Sequence, residues 1–146
     1  MRRMPNDPGR AALVAELTKF DFFAGLPAAD LEKVADTVTE HRNFEPGEVM
    51  VEQGQVSMDC LLVAEGHAEV RRGNTPVASI SAGEPVGEIG AAEYAYRTAS
   101  VIADAPTRVY VIPAKSFREL LDELPGVKSR LEEKMKRRLT ELRGDG

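Results

Sequence analysis

From Arg42 to Pro113 the sequence breaks into short β-prone runs separated by turn residues. This spacing constrains the fold more than any other feature of the chain. The runs are Val49–Val51, Cys60–Val63, Ala68–Val70, Val77–Ile80, Ser100–Ile102 and Arg108–Ile112. Between them stand Pro46-Gly47, Gly54, Gly66, Gly73-Asn74, Gly83 and Asp104-Ala105-Pro106. Glycine, proline, asparagine and aspartate supply the backbone angles that reverse a chain. Short strands cut by regular turn signals predict an all-β sandwich or barrel.

Both flanks have a helical period instead. Ala11–Lys19 spaces Leu13, Leu17 and Phe20 by three or four residues, and Asp30–Thr39 puts Leu31, Val34, Ala35 and Val38 on one face. Pro27 and Asp30 are start signals for the second of these helices. After the strands, Ala114–Leu124 carries Phe117, Leu120, Leu121 and Leu124, and Pro125-Gly126 interrupts the pattern. Val127–Leu142 then lines up Val127, Leu131, Met135, Leu139 and Leu142 as one apolar stripe. Residues 1–10 are polar, with two prolines, and read as a flexible N-terminus. A chain of 146 residues suits one domain over 11–146, with the β region at about 41–113 and C-terminal helices at about 114–143.

Composition excludes several function classes. A formal net charge of −5 argues against a nucleic-acid footprint over the whole protein. The lysines and arginines of the last helix read as a solvated face, balanced by Glu132, Glu133 and Glu141. A single cysteine, Cys60, allows no intramolecular disulfide, and its apolar run predicts a buried thiol. No apolar stretch is long enough to span a membrane, and the basic Arg2-Arg3 pair is not followed by a secretory hydrophobic segment. The expected location is the cytoplasm. The two histidines, His41 and His67, form no His-x-His pair, so no metal site is expected. Ser57, Cys60 and His67 sit close together without a nucleophile motif, so no catalytic residue is assigned and the chain reads as a non-enzyme.

Residues 87–99, Gly-Glu-Ile-Gly-Ala-Ala-Glu-Tyr-Ala-Tyr-Arg-Thr-Ala, carry the chemistry. Arg97 offers a permanently charged planar fork of donors that matches two phosphate oxygens. Gly87 and Gly90 lack a Cβ, so backbone can approach a ligand closely. N–H groups at the start of a short helical turn can face the same anion. Glu88 would repel a phosphate, so its natural partner is a sugar hydroxyl that donates to it. A lone arginine at a strand start is ordinarily a surface residue; its register with Gly87-Glu88 singles Arg97 out.

This stretch resembles the phosphate-binding cassette of cyclic nucleotide-binding domains. That family includes catabolite-activator-like regulators, regulatory subunits of cyclic-AMP-dependent kinase and cyclic-nucleotide-gated channels. Its motif runs Phe-Gly-Glu, a small apolar pair, a spacer, then Arg-Ser/Thr/Ala-Ala. Gly87, Glu88, Arg97, Thr98 and Ala99 fall on the matching positions, with a spacer of the kinase and channel length. Val86 stands where the family usually has Phe, Ala91-Ala92 where it has larger apolar residues, and Tyr96 where Pro is common. Pro46-Gly47-Glu48 and Gly66 are similar to further family turns, so the resemblance covers roughly residues 20–140.

The resemblance implies a mainly β fold with flanking α: a double-stranded β-helix, or jelly-roll, sandwich between N- and C-terminal helices. It implies sensing of cyclic AMP, with cyclic GMP second, through Val86, Gly87, Glu88, Ile89, Gly90, Arg97, Thr98 and Ala99, and no other cofactor. Thr98 is placed to touch the phosphate or the amino group of guanine. The last helix is expected to close over the ligand, with Arg130, Lys134 or Arg137 capping the base, and to offer a homodimer surface. The chain ends at Gly146 without the helix-turn-helix domain of catabolite-activator-like regulators, so the expected output is an effector protein not identified by the sequence. The contrasting expectation is a domain that has lost its ligand and serves as a protein-interaction module, consistent with Val86 and the two alanines.

Overall fold

The computed structural model describes residues 8–51, 59–86 and 100–142. Its described residues form eight strands in two four-stranded antiparallel sheets, preceded and followed by helices. The strands are β1 Glu40–Phe44, β2 Val49–Val51, β3 Asp59–Glu65, β4 His67–Arg72, β5 Thr75–Ser81, β6 Pro85–Val86, β7 Ser100–Ala103 and β8 Thr107–Pro113. One sheet runs β1-β8-β3-β6 and the other β2-β7-β4-β5. The two interleaved orders are those of a jelly roll, as the turn spacing and the resemblance predict.

Helices α1 (Pro8–Leu17) and α2 (Ala28–Thr37) precede the sandwich, with a 3-10 turn at Asp21–Phe23 between them. Helices α3 (Ala114–Glu123) and α4 (Pro125–Leu142) follow it. Helix α1 begins at Pro8, three residues before the apolar spacing starts, so residues 8–10 belong to the fold. Proline is tolerated in a first helical turn because its missing N–H would have no partner there. Arg10 ties this turn to α2 through Asp36, and its Nη2 lies 3.7 Å from Glu32. Pro125 opens α4 for the same reason, and the 125–126 pair is a helix start as well as a break.

Two hydrophobic cores result, because β3 and β8 are buried on both faces. Cys60, Leu62, Tyr110 and Ile112 face the helices, where they join Leu13, Leu17, Phe20, Phe23, Val34, Phe117, Leu120, Val127 and Leu131. The alternate residues Leu61, Val63, Val109 and Val111 meet Val51, Ala68, Val70, Ile80 and Val101 of the other sheet. A strand covered on both sides reads as a continuous apolar run, not an alternation. Phe22 stacks on Phe117 at 6.2 Å between centroids and so seats the 3-10 turn on α3. Phe117 is fully buried, and its truncation to Ala would cost about 3–5 kcal/mol.

Candidate functional site

The two flanks of the 87–99 segment lie on different sheets. Val86 ends β6 opposite Leu61 of β3, and Ser100 opens β7 opposite Arg71 of β4. The segment therefore crosses from one sheet to the other. Its incoming flank is held firmly: Gly83 N–H donates to Val63 O at 2.8 Å and Val63 N–H donates to Glu84 O at 3.0 Å. The Glu84 carboxylate accepts from Ser81 N–H at 2.7 Å. Val86 is buried in the inter-sheet core, so its side chain anchors the segment to the sandwich. Gly87, Glu88, Ile89, Gly90, Arg97, Thr98 and Ala99 lie outside the described residues.

On the outgoing flank, β7 lies between β2 and β4. Ala103 exchanges hydrogen bonds with the Pro-Gly turn: Gly47 N–H to Ala103 O at 2.7 Å, and Ala103 N–H to Glu48 O at 2.9 Å. The corner between β3 and β4 abuts the turn between β7 and β8. Gly66 there has φ +105°, and a Cβ on it would lie 2.5 Å from Pro106 O and 2.6 Å from Thr107 Cα. Only a residue without a side chain fits that approach.

Of the three residues placed over the base by the resemblance, Arg130 is held at the foot of α4. Its Nη1 donates to the carbonyl oxygens of Asp21 at 3.1 Å and Phe22 at 3.0 Å. Arg137 is exposed, and the Lys134 side chain lies outside the described residues. Val127 and Leu131 of the apolar stripe are buried beside the 3-10 turn, which fixes the first turns of α4.

A polar cluster that the sequence did not disclose links α1 to β8. Arg108 donates from Nη2 to Glu16 Oε2 at 3.0 Å, from Nε to Glu65 Oε1 at 2.8 Å and from Nη1 to the Tyr110 hydroxyl at 3.0 Å. Tyr110 donates in turn to Glu16 Oε1 at 2.6 Å. Burial alone would raise the pKa of Glu16, but the hydrogen bonds from Tyr110 and Arg108 outweigh it and hold it below the ordinary value. Burial and the bond to Glu16 push Tyr110 upward. Desolvation opposes the charge on Arg108, yet the bonds to Tyr110, Glu65 and Glu16 raise its pKa, so it stays cationic. An open cleft of about 530 Å³ lies here, lined by Glu16, Lys19, Glu65, Gly83 and Arg108 among others. Its arginine is engaged by two carboxylates, so the cleft is a poor site for a phosphate. Nothing local in the sequence marks this cluster, because Glu16 and Tyr110 are 94 residues apart.

His67 is partly exposed, with Nδ1 2.6 Å from Asp104 Oδ1. Among the described residues no group of three or more His, Cys, Asp or Glu is arranged to hold a metal ion. Among them, too, no helix is long and apolar enough to cross a membrane.

The family model of the cyclic nucleotide-binding domain matches residues 41–123. The chain belongs to this family. The match begins in β1, ends with α3 and includes the whole 87–99 segment. Among curated proteins, this cyclic nucleotide-binding domain is 32% identical over 134 residues to the cAMP-dependent protein kinase regulatory subunit of Mycosarcoma maydis, covering 86% of this chain and 25% of that protein. It is 33% identical over 121 residues to the acetyltransferase Pat of Mycolicibacterium smegmatis, covering 80% of this chain and 36% of that protein. The chain thus spans about a third or less of either relative's length. Among solved structures it superposes on the regulatory domain of Toxoplasma gondii PKA in co-crystal with cAMP with a TM-score of 0.78, at 26% identity, over 88% of this chain and 50% of that one.

Proposed function

We propose that this domain binds a cyclic nucleotide, cyclic AMP first and cyclic GMP second, at residues 87–99, and that it acts as a sensor without catalysis. The observation that carries this reading is the register of Gly87-Glu88 and Arg97-Thr98-Ala99 in a segment that joins β6 to β7 of a family-matched sandwich. Arg97 holds the phosphate in a charge-assisted fork. Glu88 accepts from the ribose hydroxyl. Backbone N–H groups of Gly87, Ile89 and Gly90 complete the anion's shell, and Val86, buried between the sheets, ties the segment to the core. Naming of a relative as a cAMP-dependent regulatory subunit and of a structural neighbour with cAMP supports cyclic AMP as the leading ligand.

The signal is a rearrangement of the C-terminal helices. A ligand shifts an equilibrium only by its differential affinity for two states. Contacts from α4 to a bound base would supply that difference. Lys134 and Arg137 follow Arg130 by four and seven residues, the spacing of neighbours along one helix face. Arg130 itself reaches a base only by giving up the carbonyls of Asp21 and Phe22. The domain takes in residues 11–146 together with the first turn of α1 from Pro8. It acts in the cytoplasm on an effector protein or as a module of a longer assembly, with α4 as the surface for a homodimer. The departures at Val86, Ala91 and Ala92 favour one second reading, a domain that keeps the fold as an interaction module without ligand.

Titration calorimetry with cyclic AMP and cyclic GMP separates the two. Saturable binding with one site per chain supports the sensor. No heat with either nucleotide at millimolar concentration, from folded protein, supports the interaction module. Hydrogen exchange then tests the signal: nucleotide should protect residues 127–142 more than α1 and α2, and unchanged exchange there would remove α4 from the mechanism.

A further inference from the structure

We propose that Thr107, with Gly66 and His67, is a positioning device that fixes the register of β7 and thereby delivers Arg97 to the ligand. The inference rests on the reading of residues 87–99 as a nucleotide site. Thr107 is the one buried polar or charged residue among the described residues, at 3% exposure. Its hydroxyl accepts from His67 N–H at 3.3 Å and lies 3.1 Å from His67 O and 2.8 Å from Ala105 O, either of which can take its proton. Asp104 N–H donates to the same His67 carbonyl at 3.1 Å, and the Asp104 carboxylate meets the His67 imidazole. The missing side chain at Gly66 lets these groups close up.

This corner bears on the site through the sheet order. Strand β3 pairs with β6 on the incoming flank of the cassette, and β4 pairs with β7 on the outgoing flank. The two strands join at Gly66, so one β3–β4 unit holds both ends of the cassette. Strand β7 has only four residues, with Val101 and Ala103 facing inward. A slip of one residue would move the chain by about 3.3 Å and turn its side chains to the opposite face. Arg97 stands three residues before Ser100, so such a slip would take its guanidinium out of the narrow distance range of a hydrogen bond. The bonds at His67 oppose the slip from the far end of the strand, where Ala68 faces Ala103.

The device predicts coupling between Arg97 and Thr107, which precede and follow β7 in the sequence. Thr107→Val keeps the shape and removes the hydroxyl; Thr107→Ser keeps the hydroxyl. Affinity for cyclic AMP is measured by titration in these variants, in Arg97→Ala and in the double variant, together with amide exchange of residues 100–103 without ligand. Thr107→Val should weaken cyclic AMP about fivefold, equivalent to about 1 kcal/mol, should speed exchange of residues 100–103, and should add nothing in the Arg97→Ala background. Thr107→Ser should restore both readouts. A second variant spares the core: Asp104→Ala removes the exposed arm of the corner and should weaken binding about twofold, with the same dependence on Arg97. Equal losses with and without Arg97, or unchanged exchange at residues 100–103, would overturn the device while leaving the nucleotide site intact. Absence of cyclic AMP binding by the wild-type protein would instead fail the site itself, and the device with it.

Discussion

Arg130 and Phe22 are joined by a hydrogen bond of 3.0 Å from the guanidinium Nη1 to the main-chain carbonyl, and the same nitrogen reaches the Asp21 carbonyl at 3.1 Å. One charged side chain of α4 thus serves two backbone acceptors on the 3-10 turn. A carbonyl that loses such a donor on folding is costly, while a partly exposed contact is weakened by water. Arg130→Ala should therefore lower stability by about 1–2 kcal/mol in urea denaturation and speed exchange of the first turns of α4. Unchanged stability and exchange would show that Val127 and Leu131 alone seat the helix.

The Glu16–Tyr110 pair predicts a stability profile with two limbs. Glu16 is held below its ordinary pKa, so its contribution is complete above the ordinary carboxylate range and is lost as pH falls through the lowered value. Tyr110 is pushed above its ordinary value, so its contribution is complete below about pH 10 and is lost as pH rises through the raised value. Tyr110→Phe should flatten the acid limb and abolish the alkaline one in chemical denaturation across pH. The same profile in wild type and Tyr110→Phe would assign both limbs to other groups.

Gly66→Ala should destabilise the sandwich more than Gly73→Ala. Both glycines have positive φ, +105° and +62°, but only Gly66 has backbone where a Cβ would sit. The strained angle costs about 1–3 kcal/mol in either variant, and the Gly66 variant must also push Pro106 and Thr107 away. Thermal unfolding of the two variants checks this. Equal losses would mean that the β3–β4 corner yields freely.

Much of this architecture is legible in the sequence, for identifiable physical reasons. Turn residues and apolar runs locate β2, β3, β4, β5, β7 and β8, because each of those strands places apolar residues in or against a core. Strand β1 escapes such a reading: Glu40–Phe44 is an edge strand with four exposed residues and no apolar alternation. Strand β6 has only two residues and no pattern to read. The proposed ligand segment rests on local chemistry, Glu88 and Arg97 at fixed spacing, and those residues lie outside the described ones. The Glu16–Arg108–Tyr110 cluster and the Thr107 corner are not, because each forms only when distant strands and helices meet.

Thr98 tests the preference between bases. If its hydroxyl meets the amino group of guanine, Thr98→Ala should weaken cyclic GMP more than cyclic AMP by roughly 1 kcal/mol, the worth of one neutral hydrogen bond. Parallel titrations with both ligands measure this. Equal losses would assign the hydroxyl to the phosphate, and no loss would make Thr98 a strand residue.

The central claim is that Arg97 holds the phosphate of a cyclic nucleotide. Its most direct test is cyclic AMP titration calorimetry on wild type and Arg97→Ala, with folding of both checked by circular dichroism. The wild type should bind at one site per chain. Arg97→Ala should lose about 2–5 kcal/mol of binding free energy, more than Glu88→Ala, because a charged bidentate contact exceeds a single hydrogen bond. Undiminished affinity in a folded Arg97→Ala protein would contradict the account.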